Sequence, residues 1–371
     1  MEQKRYISDY IKKDLKKKMV FLGGPRQVGK TTLSKTFLES NNGYLNWDLS
    51  KHRAQILKGS LPDADVWVFD ELHKYRKWRG WIKGLFDTKP DSRKIIVTGS
   101  ARLDYYRYGG DSLQGRYHFW RLHPLSVKEL GITKQESLER LLKLGGFPEP
   151  YFSDSETEAK RWSREYRTRL IQEDIISVET VKDIGSLELL VMRLPELVGS
   201  PLSLNSLRED LQLNHTTIDR WVSVLERMYS IFRIPPFGPA KIRAVKKEQK
   251  HYHYDWSLIK DPGMRFENMV GCHLLKWIHF MQDSEGREIE LRYFKDVYNR
   301  EVDFVITEDG RPIQCVECKL SDRKPTDALL YFKSKFPECE AIQVTCENEK
   351  SYVHKSGIKI IPALIFLDRF V

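Results

Sequence analysis

Long hydrophobic runs are missing from this sequence of 371 residues. No apolar stretch reaches the roughly 18 residues that a membrane helix needs, and the charged N-terminus has no signal-peptide core behind it. Cysteine is scarce as well, because five cysteines are too few for a disulfide framework in a chain of this length. We therefore expect no membrane partner and a reducing, cytoplasmic setting.

The composition predicts a globular protein with more than one domain. Hydrophobic residues make up 40% of the chain and nine of its residues are tryptophan, while the length exceeds what one hydrophobic core usually serves. The net charge of +10 is compatible with a polyanionic partner such as DNA, because binding would release counterions. A solvated basic surface is the alternative.

A phosphate-binding loop is predicted directly after the apolar segment that begins at Met19. The loop contains G-x-x-x-x-G-K-T and reads Gly24, Pro25, Arg26, Gln27, Val28, Gly29, Lys30, Thr31 and Thr32. Its glycines would let backbone N–H groups point at the phosphates of ATP, Lys30 would reach the β and γ phosphates, and Thr31 would bind Mg²⁺. A strand before the loop and a helix after it favour this interpretation over a chance glycine-rich turn.

Two acids follow a second buried strand, which is predicted at 66–69. In a parallel sheet the carboxyl end of such a strand enters the active site. Asp70 would hold Mg²⁺ through a water molecule and Glu71 would orient or deprotonate the attacking water, although a helix cap is the alternative. A further strand at 94–98 ends beside Ser100, and Thr98 or Ser100 could contact the γ-phosphate or only shape the turn.

These motifs together resemble one family of bacterial and archaeal ATPases, which couple an AAA-type domain to a C-terminal nuclease-like domain of otherwise unknown function. The resemblance is carried by the phosphate loop, Phe69-Asp70-Glu71, Thr98-Gly99-Ser100, Gly115-Arg116 and His123-Pro124-Leu125-Ser126.

In that family the arginine of the Gly-Arg pair is a candidate for contacting ATP. This residue is Arg116 here, with Arg121 as a rival, and a surface ion pair is the alternative for either. A cation beyond Lys30 and Mg²⁺ would offset charge on the transferred phosphoryl group. Whether Arg116 acts in its own subunit or in a neighbour is left open, and a homo-oligomer follows if it acts in a neighbour.

The predicted fold is α/β, with a phosphate-loop AAA-type ATPase domain on a parallel sheet followed by other domains. The boundaries are 1–18 for a basic N-terminal helix, 19–145 for the ATPase core, 146–199 for a helical lid, 200–240 for a winged helix-turn-helix, and 241–371 for an α/β restriction-endonuclease-like domain. If the winged helix binds DNA, its groove-facing residues would be His215, Thr216, Thr217 and Arg220. A structural role for the helix-turn-helix is equally open, and the basic segment 241–247 is either a phosphate contact or a solvated loop.

The last domain contains a second candidate site on a predicted hairpin that turns at Glu308-Asp309-Gly310. The hairpin places Asp303 opposite Val316 or Glu317, and Glu317 shares a face with Lys319. Two carboxylates and a lysine could bind Mg²⁺ or Mn²⁺ and position a water beside a phosphodiester.

This pattern resembles the PD-(D/E)XK nucleases. The match consists of Asp303, then Glu317-Cys318-Lys319, with Glu267 as the acid that often precedes them, although Glu-Val stands before Asp303 in place of proline. Charges alternating on a half-exposed sheet are the alternative, with a domain that grips DNA without cutting it. Zinc is disfavoured, because Cys315 and Cys318 would point to opposite faces of one strand.

The sequence thus predicts a protein that binds and hydrolyses ATP and acts on DNA, with branched DNA among the substrates to consider. Metal-dependent cleavage by the last domain is an additional expectation, and an ATP-gated nuclease is a variant of it. The alternative is a nucleotide-dependent regulatory switch on a protein partner, in which the nuclease-like domain is a non-catalytic binding module.

Overall fold

The computed structural model describes residues 4–99, 113–176, 183–238 and 249–371. Ser100 and the basic segment 241–247 lie outside these ranges. The chain divides into two compact units, one of residues 1–124 with 227–229 and one of residues 125–226 with 230–371. This division lies ahead of residue 145, where the sequence predicts the end of the ATPase core.

The first unit is built on a parallel sheet. Its strands are β1 (Met19–Gly23), β2 (Tyr44–Asn46), β3 (Val66–Asp70), β4 (Lys94–Thr98) and β5 (Tyr117–Arg121). Its helices are α1 (Ser8–Asp14), α2 (Lys30–Lys35), α3 (Ser50–Lys58) and α4 (Trp78–Thr88). The strand order is β2-β3-β4-β1-β5, and each neighbouring pair is parallel. The predicted parallel sheet is confirmed, whereas β5 is a strand that the sequence analysis missed.

The strands of this sheet are apolar because both of its faces are covered. β1 and β3 are buried at every position, as expected for a parallel sheet between helices. Phe21, Phe69, Trp78 and Val97 are part of the buried core. The parallel arrangement brings the carboxyl ends of β1, β3 and β4 to one edge, where the phosphate loop, Asp70 and Thr98 lie.

The second unit begins with helices. They are α5 (Val127–Leu130), α6 (Gln135–Leu144), α7 (Pro148–Ser153), α8 (Glu156–Arg169), α9 (Ile184–Arg193), α10 (Leu204–Asp210) and α11 (His215–Arg227). A two-stranded antiparallel sheet of β6 (Ile231–Ile234) and β7 (Lys250–His253) follows. A helix-turn-helix with two strands after it agrees with the order of elements in a winged helix, but this order alone does not establish that fold.

A six-stranded mixed sheet forms the rest of the second unit. Its strands are β8 (Ile289–Lys295), β9 (Glu301–Glu308), β10 (Arg311–Lys319), β11 (Glu340–Thr345), β12 (Tyr352–Val353) and β13 (Lys359–Pro362), in the order β12-β13-β11-β10-β9-β8. The helices that accompany it are α12 (Pro262–Glu285), α13 (Asp327–Lys335) and α14 (Ala363–Leu367). The predicted hairpin is present, because β9 pairs antiparallel with β10 and both turn residues, Asp309 and Gly310, have positive φ.

The 24-residue helix α12 is the central helix of the second unit. Asp261 caps its start by accepting a hydrogen bond from the Met264 N–H at 2.8 Å, and Gly286 ends it with a φ of 69°. Most of its length is buried against β7, β8 and β10. No helix among the described residues combines the length and apolar character that crossing a bilayer requires.

Candidate functional site

The phosphate loop connects β1 to α2 through backbone that only glycine can adopt at two positions. Gly24 has a φ of 132°, and a Cβ there would lie 2.3 Å from the carbonyl oxygen of Leu122. Gly29 has a φ of 100° directly before the first turn of α2. A side chain at either position would strain the loop, so both glycines of the motif are needed for its shape.

Lys30 folds back over the loop from the first position of α2. Its Nζ donates hydrogen bonds to the carbonyl oxygens of Gly24 at 2.9 Å and Pro25 at 2.5 Å. The side chain is buried, so the ammonium group is held at the loop before any phosphate arrives. The predicted role of Lys30 is to contact the β and γ phosphates, and a bound phosphate would take the ammonium over from these carbonyl oxygens.

Asp70 brings the loop and the sheet together. Its Oδ2 accepts hydrogen bonds from Thr31 Oγ1 at 3.0 Å and from the Tyr44 hydroxyl at 2.6 Å, and the Thr98 hydroxyl donates to its Oδ1. Burial and the hydrogen bond to Asp70 raise the pKa of the Tyr44 hydroxyl. Tyr44 is a site residue that the sequence analysis did not single out, because only the pairing of β2 with β3 places it there.

The donors at this point fit a magnesium ion. Thr31 offers a hydroxyl oxygen and Asp70 a carboxylate oxygen, and Mg²⁺ prefers oxygen ligands of this kind together with phosphate oxygens and water. The two side chains already touch. Thr31 and Asp70, the predicted metal residues of this site, are therefore brought together as expected.

Glu71 follows Asp70 in a strained backbone conformation. Its φ is 56°, which costs a non-glycine residue about 1–3 kcal/mol and often marks a functional position. Its carboxylate lies 3.2 Å from Lys74 Nζ and 3.6 Å from His73 Nε2. Burial alone would lower the pKa of Lys74, but the hydrogen bond to Asp48 and the charge of Glu71 raise it. Glu71 is thus ion-paired in this structure.

Arg116 lies at the wrong end of the sheet to reach ATP in its own subunit. The residue after it, Tyr117, pairs with Met19, whereas Arg121 pairs with Gly23 beside the phosphate loop. Four residues of strand separate the two ends, about 13 Å. Arg116 instead pairs with Asp87, its Nε 2.8 Å from Oδ1. Of the two possibilities that the sequence leaves open for Arg116, this position does not favour a role at the ATP of its own subunit, and a role in a neighbouring copy stays a prediction.

Arg5 is a second residue of this site that the sequence analysis missed. Its guanidinium is buried and donates to the carbonyl oxygens of Val28 at 2.8 Å and His123 at 2.5 Å. It therefore ties the phosphate loop to the segment after β5. An arginine in a basic N-terminal stretch carries no sequence signal for this role, because both acceptors are distant backbone atoms.

The hairpin of the second unit brings the predicted nuclease-like residues together. Val316 pairs with Phe304, so Glu317 lies beside Asp303, one of the two registers expected. Lys319 Nζ is 2.7 Å from Glu317 Oε1, and Asp303 Oδ2 accepts a hydrogen bond from the Cys318 N–H at 2.8 Å. Burial and then the charge of Asp303 raise the pKa of Glu317.

Glu267 joins this cluster from α12. Its Oε1 accepts a hydrogen bond from the Tyr252 hydroxyl at 2.7 Å. Burial, together with the charge of Asp303, raises the pKa of Glu267 to about 8. Lys250 of β7 also lies among these carboxylates, a position for which the sequence gives no motif.

The described residues contain no group of three or more His, Cys, Asp or Glu side chains arranged to hold a metal ion. Cys315 is buried on β10, and its pKa is raised by its contact with Cys339 and by burial. The predicted Mg²⁺ or Mn²⁺ at Asp303 and Glu317 therefore gains no support from the donor geometry, and metal-dependent cleavage stays a prediction from the sequence.

The helix-turn-helix presents polar side chains to solvent. His215, Thr216 and Arg220 of α11 are exposed, and Thr217 is half-buried. The Asn214 side chain caps the helix by accepting a hydrogen bond from the Thr217 N–H at 2.8 Å. Three of the four predicted groove-facing residues are thus exposed on one helix.

Three family models match the chain one after another. Residues 16–131 match an AAA domain, and residues 135–261 and 262–366 match two domains of unknown function, DUF8612 and DUF4143. The matches support a phosphate-loop ATPase of the AAA type. The match over 262–366 names no activity, so it neither supports nor opposes a nuclease.

Curated relatives resemble the chain over much of its length. An uncharacterized protein of Methanocaldococcus jannaschii is 24% identical over 280 residues, which cover 68% of this chain and 61% of that protein. An uncharacterized protein of Mycobacterium tuberculosis is 23% identical over 308 residues, which cover 79% of this chain and 68% of that protein. The chain thus spans about three fifths to two thirds of the length of these relatives.

Two solved structures are also similar. A RuvB structure from Thermotoga maritima is 18% identical, with 59% of this chain and 82% of that chain covered and a TM-score of 0.26. A signal transduction ATPase with numerous domains from Pyrococcus horikoshii is 14% identical, with 76% and 47% covered and a TM-score of 0.25. Because these superpositions are poor, the ATPase assignment rests on the family model and the strand order.

Proposed function

We propose that this protein is a magnesium-dependent ATPase that acts on DNA. The contact between Thr31 and Asp70 carries the ATPase part of the proposal, because it pairs two oxygen donors beside the loop whose carbonyl oxygens hold the Lys30 ammonium. A bound Mg²⁺ would offset negative charge on the phosphoryl oxygens. The loop from Gly24 to Thr32 would bind the phosphates through its N–H groups, and Lys30 would contact them directly.

Glu71 is the proposed general base for the attacking water. Its carboxylate is paired with Lys74 in this structure. Catalysis by Glu71 would therefore require this pair to open when the nucleotide binds. In this account the strained backbone of Glu71 aims the side chain from the carboxyl end of β3.

The magnesium requirement tests this assignment directly. Phosphate release from ATP should depend on Mg²⁺ in the wild type, and Asp70→Asn should raise the Mg²⁺ concentration needed for half-maximal rate by at least about tenfold, because it removes the ligand charge. Asp65→Asn, on the loop before β3, is the matched control and should behave as the wild type. An unchanged Mg²⁺ requirement in Asp70→Asn would contradict the proposal.

DNA is the proposed partner of the second unit, which we infer to contain a winged helix in residues 200–240 and a nuclease-like fold in its last part. The exposed residues His215, Thr216 and Arg220 on α11 and the net charge of +10 support this inference. Assembly into a homo-oligomer completes the proposal, in which Arg116 would exchange its pair with Asp87 for the ATP of a neighbouring copy.

DNA binding can be measured by fluorescence anisotropy with labelled linear and branched duplexes. The double variant Thr216→Ala, Arg220→Ala should weaken binding by about tenfold or more. The matched control is Arg161→Ala, Thr168→Ala, which changes the same residue types on the exposed face of α8. Equal loss in both double variants would remove the recognition helix from the proposal.

A regulatory switch on a protein partner is the second candidate function. One observation favours it, because α9 exposes Leu189 at 56% and Met192 at 63% of their surface, on one face of the helix. The two functions predict different responses to DNA. DNA should stimulate ATP hydrolysis if the protein acts on DNA. If it is a regulatory switch, DNA should neither change the rate of ATP hydrolysis nor bind to the protein.

A further inference from the structure

A buried lysine occupies the centre of the carboxylate cluster in the second unit. Lys250 is the first residue of β7, and none of its surface is exposed. Its Nζ lies 5.4 Å from the centre of the Tyr293 ring. Lysine is almost never fully buried unless it is paired, so the surroundings of this ammonium group must supply negative charge.

Three carboxylates surround Lys250 and come from two elements of the second unit. Its Nζ lies 2.6 Å from Glu301 Oε1, 3.7 Å from Glu267 Oε1 and 4.0 Å from Asp303 Oδ1. Glu301 and Asp303 are both on β9, whereas Glu267 is on α12. The ammonium thus lies at the point to which acids of two elements converge.

Other carboxylate oxygens of the cluster, on Glu317 and Glu301, are also engaged. Glu317 is held by Lys319 at 2.7 Å and accepts a hydrogen bond from the Thr326 hydroxyl at 2.6 Å. Glu301 has a second cation, because its Oε2 lies 3.1 Å from Lys295 Nζ. Three lysine ammonium groups therefore lie against the carboxylates of this cluster.

A divalent cation does not fit this arrangement. Mg²⁺ binds oxygen ligands at about 2.0–2.1 Å in near-octahedral geometry and keeps several waters. An ion on Asp303 would share that carboxylate with the nearby Lys250 ammonium, and like charges at that separation repel each other. In agreement with this, the described side chains include no group of three or more His, Cys, Asp or Glu residues that could hold a metal ion.

We propose that the Lys250 ammonium takes the place of a divalent cation in this domain. It lies against Glu267, Glu301 and Asp303 as a cation that is covalently part of the chain, so the cluster is a metal-independent structural core. The domain then keeps nuclease-like residues without hydrolysing phosphodiesters. Its use would be to bind rather than to cut.

Mn²⁺-dependent stabilisation tests this proposal with full-length protein. Melting temperatures are measured in EDTA and in excess Mn²⁺ for the wild type, Asp303→Asn, Lys250→Ala and the double variant. Mn²⁺ should shift the wild type and Asp303→Asn equally, because any ion at the phosphate loop contributes the same to both. Lys250→Ala should melt roughly 5–10 °C lower in EDTA, and Mn²⁺ should restore at least about half of that loss. The double variant should gain nothing beyond the wild-type shift.

Two results would overturn the proposal. One is a larger Mn²⁺ shift in the wild type than in Asp303→Asn, which would place the ion at Asp303 with Lys250 present. The other is a folded Lys250→Ala protein whose melting temperature rises with Mn²⁺ no more than that of the double variant. The position vacated by the ammonium would then not be a cation site.

Cleavage of end-labelled DNA gives a second readout that does not depend on the folding of Lys250→Ala. The wild type should leave linear and branched DNA intact with Mg²⁺ or Mn²⁺, with and without ATP. Cutting that disappears in Lys319→Ala would overturn the proposal. If Lys250→Ala does not fold, this assay and the comparison of the wild type with Asp303→Asn decide the question.

Discussion

Asp70 is a buried carboxylate that accepts hydrogen bonds from three hydroxyl groups. Thr31, Tyr44 and Thr98 donate to it from α2, β2 and β4. Hydrogen bonds to an ionised acceptor are stronger than neutral ones, so this carboxylate is held in place before a metal ion binds. A rigid oxygen ligand beside the phosphate loop is what a magnesium site for ATP requires.

Glu71→Gln should separate ATP binding from hydrolysis. The amide cannot accept the proton of the attacking water, so kcat should fall by about 10²–10⁴-fold, while the dissociation constant of ATP stays within about twofold. Phosphate release and calorimetric ATP titration measure the two quantities. Glu39→Gln, an exposed acid after α2, is the matched control. A Glu71→Gln protein that hydrolyses ATP at the wild-type rate would exclude Glu71 as the base.

Arg5→Ala should weaken both the first unit and its ATP site. The change leaves the carbonyl oxygens of Val28 and His123 without their buried donor, which costs roughly 2–4 kcal/mol of unfolding free energy. The phosphate loop loses a fixed point, so the dissociation constant of ATP should rise severalfold. Lys4→Ala, which removes the exposed ion pair with Asp9, should change neither quantity. Equal effects of both substitutions would contradict this role.

At the scale of elements, the register of β5 decides which arginine lies near the phosphate loop. Gly23 pairs with Arg121, whereas Arg116 precedes the opposite end of the strand. In dilute protein, Arg121→Ala should lower kcat by at least about tenfold, because a cation near the transferred phosphoryl group stabilises its charge. Arg116→Ala should change kcat by less than about threefold, since it removes only a surface pair.

Steady-state hydrolysis across protein concentrations checks this prediction. If Arg116 acts on a neighbouring copy, its substitution should lower kcat only at concentrations where the protein assembles. A loss of kcat in dilute Arg116→Ala with none in Arg121→Ala would show that the strand register has been misinterpreted.

The start of α5 is joined to α12 by a neutral histidine. His273 Nδ1 donates to the Met269 carbonyl at 2.8 Å, and its Nε2 accepts from the Val127 N–H at 3.1 Å. Burial, with a smaller contribution from the charge of Lys276, lowers the pKa of His273 to about 4, while the hydrogen bond to Met269 and the charge of Glu129 oppose this shift. Protonation would replace the acceptor at Nε2 with a second donor, so the contact to Val127 would be lost.

Acid should therefore destabilise the second unit through His273. Because the folded pKa lies below the unfolded value of 6.5, the unfolded chain takes up more protons between pH 6.5 and pH 4. Stability from this group is complete above pH 6.5 and falls on acidification by at most about 1.4 kcal/mol per pH unit.

Denaturant unfolding at several pH values measures this effect. The wild-type advantage over His273→Gln should shrink from pH 7 to pH 5, whereas the comparison with His215→Gln, an exposed histidine on α11, should not vary with pH. A constant difference between the wild type and His273→Gln over this range would show that His273 does not titrate as described.

At the scale of the whole molecule, the sequence predicts what is encoded locally. The phosphate loop, the acids after β3 and the β9–β10 hairpin each depend on neighbouring residues, and the structure contains all three. β5 was missed because its short aromatic run has no alternation. Three site residues were missed because their partners are distant in the sequence. The partners lie at least 23 positions away for Arg5, 26 for Tyr44 and up to 53 for Lys250. Such contacts arise from tertiary packing, which no local motif reports.

The same difference of scale applies to the two predicted active sites. The residues of the predicted ATP site lie on one edge of a parallel sheet, so strand order alone brings Thr31 and Asp70 together. In the second unit, local pattern places Asp303 beside Glu317, but it does not reveal that β7 inserts Lys250 among the acids. One buried cation changes the chemistry expected of that cluster.

ATP hydrolysis by Lys30→Ala is the most direct test of the central claim, that the phosphate loop is a working ATPase site. The wild type should release phosphate in a Mg²⁺-dependent reaction, and Lys30→Ala should lose at least about 99% of that rate. Lys58→Ala, which changes an exposed lysine at the end of α3, should retain it, and both variants should unfold cooperatively. Hydrolysis by Lys30→Ala at the wild-type rate would show that the activity arises elsewhere and would contradict the account.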